Sequence, residues 1–194
     1  MDTPLSYILD VQDEVPDFNL ESQVGGIHFH DLIDGKWCLL VTVHKIFDPV
    51  NTTEIGALQK LLSEFNARNV AVLLLGNDSI SNYRKWISEI SELESVPIEI
   101  PLMSDPTGAV LKQFGCAREV HPSNELRIIS CGTFLINIDR RIMSSVRNSV
   151  NIGRNFYESI RLFDACQLTT SFRVVCPANW VHIAAFLSVK ICIV

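Results

Sequence analysis

Two short apolar runs constrain the fold of this chain more than any other feature. Residues 37–43 (WCLLVTV) and 70–75 (VAVLLL) are continuous apolar stretches with β-branched members, and such runs are typical of strands covered on both faces of a sheet. Between them, apolar residues recur at helical spacing, at Ile55, Leu58, Leu61, Leu62 and Phe65. A strand, a helix and a second strand in this order predict two parallel strands joined by a crossover helix.

The rest of the chain continues this alternation. A second helix is predicted from an apolar face formed by Ile80, Tyr83, Ile87 and Ile90. A short third helix is expected at 107–114, a buried strand at 131–138 (CGTFLINI), and its hairpin partner near 142–147. A last helix is indicated by the spacing of Phe156, Ile160 and Phe163. The pattern predicts an α/β protein of the thioredoxin-like kind, a central mixed sheet flanked by helices.

Composition indicates one globular domain. The 194 residues are 47% hydrophobic, which is enough for a substantial core. The net charge is −6, and the chain contains no basic cluster longer than Arg140-Arg141. We therefore expect no nucleic-acid partner. We expect the domain to cover residues 1–176 and to be followed by a truncated, divergent tail at 177–194.

The end of that tail has a different character. Residues 181–194 (VHIAAFLSVKICIV) are almost wholly apolar around one lysine. Fourteen residues of this kind are too few for an ordinary membrane-spanning helix, so no membrane span is expected. The segment is predicted to form a strand or a short packed tail, and a weak contact with a membrane or a partner is the alternative.

Six cysteines are scattered along the chain without a C-x-x-C pair and without histidines at zinc-ligand spacing. We therefore expect neither a metal nor another cofactor. The first residues contain no positive stretch followed by an apolar run, which favours a cytoplasmic location with free thiols. His28 and His30, two apart on an expected strand, form at most half of a metal site, because no third ligand can be named.

Four landmarks occur in the order seen in a known family: Val15-Pro16-Asp17-Phe18, then residues 26–31 (GIHFHD), residues 47–54 (FDPVNTTE) and Gly153-Arg154-Asn155-Phe156. Over residues 12–180 the chain resembles the one-cysteine peroxiredoxins of the peroxiredoxin-six type, in the AhpC/TSA family of the thioredoxin-like superfamily. The resemblance implies a thioredoxin fold and an antioxidant peroxidase activity, an oxidoreductase chemistry carried by a thiol.

The family's signature, Pro-x-x-x-Thr-x-x-Cys, falls on substituted residues. The resemblance places His44 at the proline, Asp48 at the threonine and Asn51 at the cysteine that attacks peroxide and becomes a sulfenic acid. The family's arginine, which precedes a Gly-Thr-Phe-like strand, is matched by Cys131. Because all four positions differ, we expect no catalytically competent residue there.

Asn51 also has a structural interpretation. Asparagine is a favoured helix N-cap, and Glu54 follows three residues later as in a capping box. We therefore predict that Asn51 begins the helix. Asp48 would add a negative charge where a thiolate needs stabilising.

The same family type also resembles a phospholipase with a serine nucleophile near the first long strand. Lys36 occupies that serine position, while His30 and Asp139 match the accompanying histidine and aspartate. Without the hydroxyl these two residues have nothing to activate. We predict instead that His30 ends a strand and that Asp139 lies in a turn.

Three hypotheses for function follow. The first is a catalytically inactive peroxiredoxin, a pseudoenzyme that acts as a binding or dimerisation partner, in a homodimer or in a heterodimer with an active relative. The alternative is an active thiol peroxidase that reduces hydrogen peroxide or organic hydroperoxides through a displaced cysteine such as Cys131, partly ionised by the nearby His44 and Lys45. The third is a decayed gene product without a selected role.

Overall fold

The computed structural model describes residues 7–181 and the backbone of residues 192–193. The chain divides into two compact units, residues 1–154 and residues 155–194, which are described one at a time. The predicted boundary between a domain and a tail at residue 177 stays a prediction, because most of that tail lies outside the described residues.

The described strands of the first unit are β1 (Asn19–Ser22), β2 (Gly25–His28), β3 (Trp37–Thr42), β4 (Val70–Gly76), β5 (Leu102–Ser104), β6 (Ala117–Val120), β7 (Glu125–Ile128), β8 (Cys131–Ile136) and β9 (Ile142–Asn148). Seven of them form a mixed sheet in the order β2-β1-β5-β4-β3-β8-β9, and β6 and β7 form a separate hairpin. Its described helices are α1 (Phe29–Leu32), α2 (Pro49–Lys60), α3 (Leu62–Asn66), α4 (Ile80–Glu94) and α5 (Ala109–Gln113).

The two apolar runs form the centre of this sheet, as predicted. β3 and β4 are parallel, in register from Trp37 opposite Val70 to Thr42 opposite Leu75, and every residue of β3 is buried. β8 pairs with the other edge of β3 in the antiparallel direction and with β9 as a hairpin. Helices cross between parallel strands, whereas the hairpin adds antiparallel ones, so the sheet is mixed.

The predicted crossover helix is present but interrupted. The backbone N–H of Leu61 donates to the carbonyl of Leu58, a bond over three residues, and α3 begins at the next residue. The predicted helices α4 and α5 are confirmed. Trp86 of α4 is fully buried and donates its Nε1–H to Thr52 Oγ1 of α2 at 3.0 Å, so it packs α4 against α2.

Side chains of β3 and β8 alternate between the two faces of the sheet. Cys38 and Leu40 of β3 and Phe134 and Ile136 of β8 belong to one continuous apolar core. Residues between them in sequence must face the opposite side, because successive side chains of a strand point in opposite directions. Cys131, the first residue of β8, is three residues before Phe134, so its side chain lies on the opposite face of the sheet.

The second unit contains α6 (Phe156–Ser171) and a short antiparallel pair, β10 (Val174–Val175) and β11 (Cys192–Ile193). The predicted last helix is thus confirmed, with Phe156, Ile160 and Phe163 buried on it. The tail prediction falls largely on residues 182–191 and 194, which lie outside the described residues. In the described part of the chain, no helix is both long and apolar enough to cross a membrane.

Candidate functional site

Helix α2 begins one turn earlier than the sequence indicates. Asp48 is the N-cap, with extended backbone angles (φ −73°, ψ 127°), and its Oδ2 accepts a bond of 2.9 Å from the backbone N–H of Asn51. Pro49 fills the first helical position, which its fixed φ suits and where its missing N–H costs nothing. The prediction that Asn51 is the N-cap is therefore wrong: Asn51 is the third residue of the helix.

The Asn51 side chain is buried and hydrogen-bonded at both ends. Its Oδ1 accepts from the backbone N–H of His44 at 2.8 Å, and its Nδ2 donates to Glu54 Oε2 at 2.7 Å. A third contact runs from Nδ2 to the sulfur of Cys131 at 3.8 Å. Because a buried amide without partners would be costly, these bonds explain how Asn51 is tolerated at 0% exposure.

A buried ion pair holds this cluster together. Arg154 donates from Nη2 to Glu54 Oε2 at 2.6 Å and from Nε to Glu54 Oε1 at 2.9 Å, with the two side chains 4% and 5% exposed. Its Nη1 donates to the carbonyls of Thr42 and Gly132 at 2.9 and 2.8 Å. Arg154 thus connects the start of α2, the end of β3 and the start of β8.

Arg154 is a landmark of the family resemblance, but its role in the site was not predicted from the sequence. A signal was available, because Glu54 follows Asn51 by three residues and so lies on the same face of the helix. A glutamate on a buried helical face needs a cationic partner. The position of Arg154, a hundred residues away, could not be read from that rule.

Cys131 is 1% exposed and faces the α2 side of the sheet. Burial raises the pKa of its thiol, and this effect outweighs the nearby Arg154 charge and the Asn51 amide, which both lower it. The cation that acts on the Cys131 thiol is therefore Arg154, rather than His44 or Lys45 as expected. A raised pKa keeps this thiol protonated at neutral pH.

The other described cysteines of the first unit are also poor nucleophiles. Cys38 and Cys116 are fully buried, and burial raises the pKa of both thiols. A Cβ atom built on Gly132 would lie 2.7 Å from the Cys116 sulfur. Since Gly132 and Cys131 are neighbours on one strand, Cys116 and Cys131 lie on opposite faces of the sheet.

The two histidines near β2 both face Asp17, with His28 Nδ1 3.8 Å and His30 Nδ1 4.0 Å from its carboxylate. His28 ends β2, whereas His30 lies in the helical turn α1, so the prediction that His30 ends a strand is wrong. The reason is that the chain turns into α1 at Phe29, and successive helical side chains no longer alternate as in a strand. His30 Nε2 forms a 2.9 Å hydrogen bond with the carbonyl oxygen of Val15.

The remaining predicted residues have local roles. Lys36 lies in the turn before β3 and donates its backbone N–H to the Ile33 carbonyl. Asp139 lies in the β8–β9 turn, as predicted, where its N–H donates to Asn137 Oδ1 at 3.0 Å. Within residues 7–181, no three histidine, cysteine or acidic side chains are arranged to hold a metal ion.

The chain is similar in sequence to known proteins of one family. The model of the AhpC/TSA family matches residues 11–145. The chain is 35% identical to a 1-Cys peroxiredoxin of Dictyostelium discoideum over 92% of this chain and 73% of that protein. It is 30% identical to peroxiredoxin-6 of Gallus gallus, over 87% of this chain and 77% of that protein.

Solved structures agree. A crystal structure of a cysteine-to-serine mutant of peroxiredoxin 6 of Arenicola marina superposes with a TM-score of 0.82 at 27% identity, covering 89% of this chain and 80% of that one. A yeast mitochondrial 1-Cys peroxiredoxin superposes with a TM-score of 0.80 at 29% identity, covering 89% and 83%. The chain therefore belongs to the AhpC/TSA family, as a one-cysteine peroxiredoxin of the peroxiredoxin-6 type with the predicted thioredoxin-like fold.

Proposed function

We propose that this chain is a catalytically inactive peroxiredoxin whose former peroxide site has become a structural polar cluster, and that it acts by binding another peroxiredoxin chain. The observation that carries the proposal is Asn51 in the first turn of α2. Free N–H groups and the helix dipole stabilise a thiolate at such a position. An amide there cannot attack an O–O bond or form a sulfenic acid.

The groups around Asn51 are already engaged with one another. Both ends of its amide are bonded within the protein. The guanidinium of Arg154 bonds to the carboxylate of Glu54 and to two backbone carbonyls. The charge that would stabilise a thiolate or a bound peroxide is therefore neutralised by a partner 2.6 Å away.

The cap of α2 also opposes thiolate chemistry. The Asp48 carboxylate accepts the backbone N–H of residue 51 at 2.9 Å. That N–H is one of the donors a thiolate at the helix start would use. A carboxylate so near would also raise the pKa of a cysteine placed at position 51. Restoring the cysteine alone should therefore restore little activity.

A displaced nucleophile, Cys131, is the second candidate. The observation in its favour is the contact of its sulfur with Asn51 Nδ2 at 3.8 Å, together with the nearby positive charge of Arg154. Against it stand its 1% exposure and the raised pKa that burial gives its thiol. Peroxide reduction needs an accessible thiolate, so inactivity is the better-supported proposal.

The test is a peroxide-consumption assay with dithiothreitol or glutathione as reductant. The parent chain is compared with Cys131→Ser, with Asn51→Cys, and with a variant carrying His44→Pro, Asp48→Thr, Asn51→Cys and Cys131→Arg. We expect no consumption by the parent, little by Asn51→Cys, and clear turnover by the fourfold variant. Circular dichroism of each variant separates a lost fold from a lost site.

The outcomes distinguish the candidates. Parent activity that disappears in Cys131→Ser would establish the displaced-thiol peroxidase. Parent activity that survives serine substitution of every cysteine, but requires the fold, would refute both. The binding role is tested by light scattering after size exclusion, on the chain alone and mixed with an active one-cysteine peroxiredoxin; strictly monomeric elution in both samples would count against it.

A further inference from the structure

The chain after α6 runs back along that helix and brings a second cysteine close to one already on it. Helix α6 ends at Ser171, and Phe172 is extended (φ −133°, ψ 153°). The sulfur of Cys176 then lies 3.9 Å from the carbonyl oxygen of Ala165. Further along, the Trp180 carbonyl accepts from Arg161 Nη1 at 2.9 Å. Residues 172–180 are therefore antiparallel to α6.

This path places Cys176 beside Cys166. The carbonyl oxygen of Ala165 belongs to the peptide group that joins Ala165 to Cys166. It therefore lies about 2.8 Å from the Cys166 Cα by standard peptide dimensions. The Cys176 sulfur is therefore within about 7 Å of that Cα. A disulfide needs the two sulfurs about 2 Å apart, so rotation of both side chains must close the remaining gap.

The electrostatics of the second unit agree with this proximity. Burial is the main cause of the raised pKa of Cys166, and the neighbouring Cys176 is the second cause. Both cysteines also raise the pKa of the Arg161 guanidinium. Both thiols are free and half-buried, whereas Cys38, Cys116 and Cys131 of the first unit are at most 1% exposed. The pair is thus more accessible to an oxidant than those three thiols.

We propose that Cys166 and Cys176 form an intrachain disulfide when the protein meets a low-molecular-weight disulfide such as oxidised glutathione. One thiolate attacks a sulfur of oxidised glutathione, which breaks its S–S bond and releases one glutathione. The second thiolate attacks the protein sulfur of this mixed disulfide and releases the other glutathione. The two cysteines lose two electrons and two protons, and one oxidised glutathione becomes two reduced molecules.

The cross-link would fasten the segment after α6 to the helix and would work independently of the peroxide site. Cys192 is the competing cysteine, because β11 pairs with β10 and the backbone of Cys192 lies opposite that of Val175. The sequence makes the two pairings separable: trypsin cleaves after Arg161, Arg173 and Lys190. Cys166, Cys176 and Cys192 then fall on three different peptides.

The experiment incubates the full chain with oxidised glutathione, quenches with N-ethylmaleimide, and maps the tryptic peptides by mass without reduction. We expect the peptide 162–173 linked to the peptide 174–190, in the parent and in Cys192→Ser. In Cys166→Ser, Cys176 should instead remain as a mixed disulfide with glutathione. Circular dichroism confirms that each variant is folded.

Two results would overturn the proposal. One is a link between Cys176 and Cys192 that persists in Cys166→Ser. The other is glutathione retained on Cys166 and Cys176 of the folded parent without any link between them. The readout is a covalent link rather than turnover, so its failure is distinguishable from failure of the proposal on peroxide chemistry.

Discussion

Replacing Arg154 by methionine tests how the polar cluster around Asn51 is held together. Methionine keeps an unbranched side chain of moderate length but removes every donor of the guanidinium. The substitution leaves the Glu54 carboxylate buried at 5% exposure without its cation. It also removes the donor shared by the carbonyls of Thr42 and Gly132. Removing one partner of a buried ion pair lowers the stability of the fold by about 3–5 kcal/mol.

The measurement is urea denaturation followed by tryptophan fluorescence and circular dichroism. We expect the unfolding free energy to fall by about 3–5 kcal/mol. The slope of the unfolding free energy against urea concentration should stay unchanged. For a chain of this size, each 1 kcal/mol shifts the melting temperature by about 2–4 °C. The melting temperature should therefore fall by about 6–20 °C.

The matched control lies on α2, the helix that carries Glu54. Lys60 of α2 pairs with Glu94 at 2.7 Å, but its side chain is 54% exposed. Lys60→Met should therefore cost about 0–1 kcal/mol, because solvent screens an exposed pair. Adding Glu54→Gln to Arg154→Met should recover part of the loss, since it removes the uncompensated charge. If Arg154→Met costs no more than Lys60→Met, the ion pair does not hold the site and our reasoning is refuted.

Two further predictions concern residues near helix starts. Asp48→Ala removes the cap of α2 and should lower the unfolding free energy by about 1 kcal/mol. Urea denaturation measures this difference, and an unchanged unfolding free energy would reject Asp48 as the cap. Asp17 has a pKa below its ordinary 3.8, mainly because its carboxylate accepts the backbone N–H of His30. Its charge therefore stabilises the fold above about pH 4, and this contribution is lost as the pH falls through the lowered pKa. The stability difference between the parent and Asp17→Asn should shrink in that window, and a difference independent of pH would contradict this assignment.

Local sequence patterns were sufficient for most of the framework. The runs at 37–43 and 70–75 predicted β3 and β4, because strands buried on both faces must be apolar throughout. Helical spacing predicted α4 and α6, since one face of each helix is buried. The start of α2 was missed by one turn because Asp48, Pro49 and Asn51 each suit a helix N-terminus, and only the backbone geometry shows which of them is the cap.

From the sequence alone, the family resemblance predicts that Asn51 occupies the cysteine position, and an amide side chain cannot be oxidised to a sulfenic acid. Tertiary structure decided what surrounds Asn51. The partnership of Glu54 with Arg154 joins residues a hundred positions apart, and the raised pKa of Cys131 depends on burial by segments far away in the chain. Burial and long-range pairing arise from the packed fold, so no local pattern could have specified them.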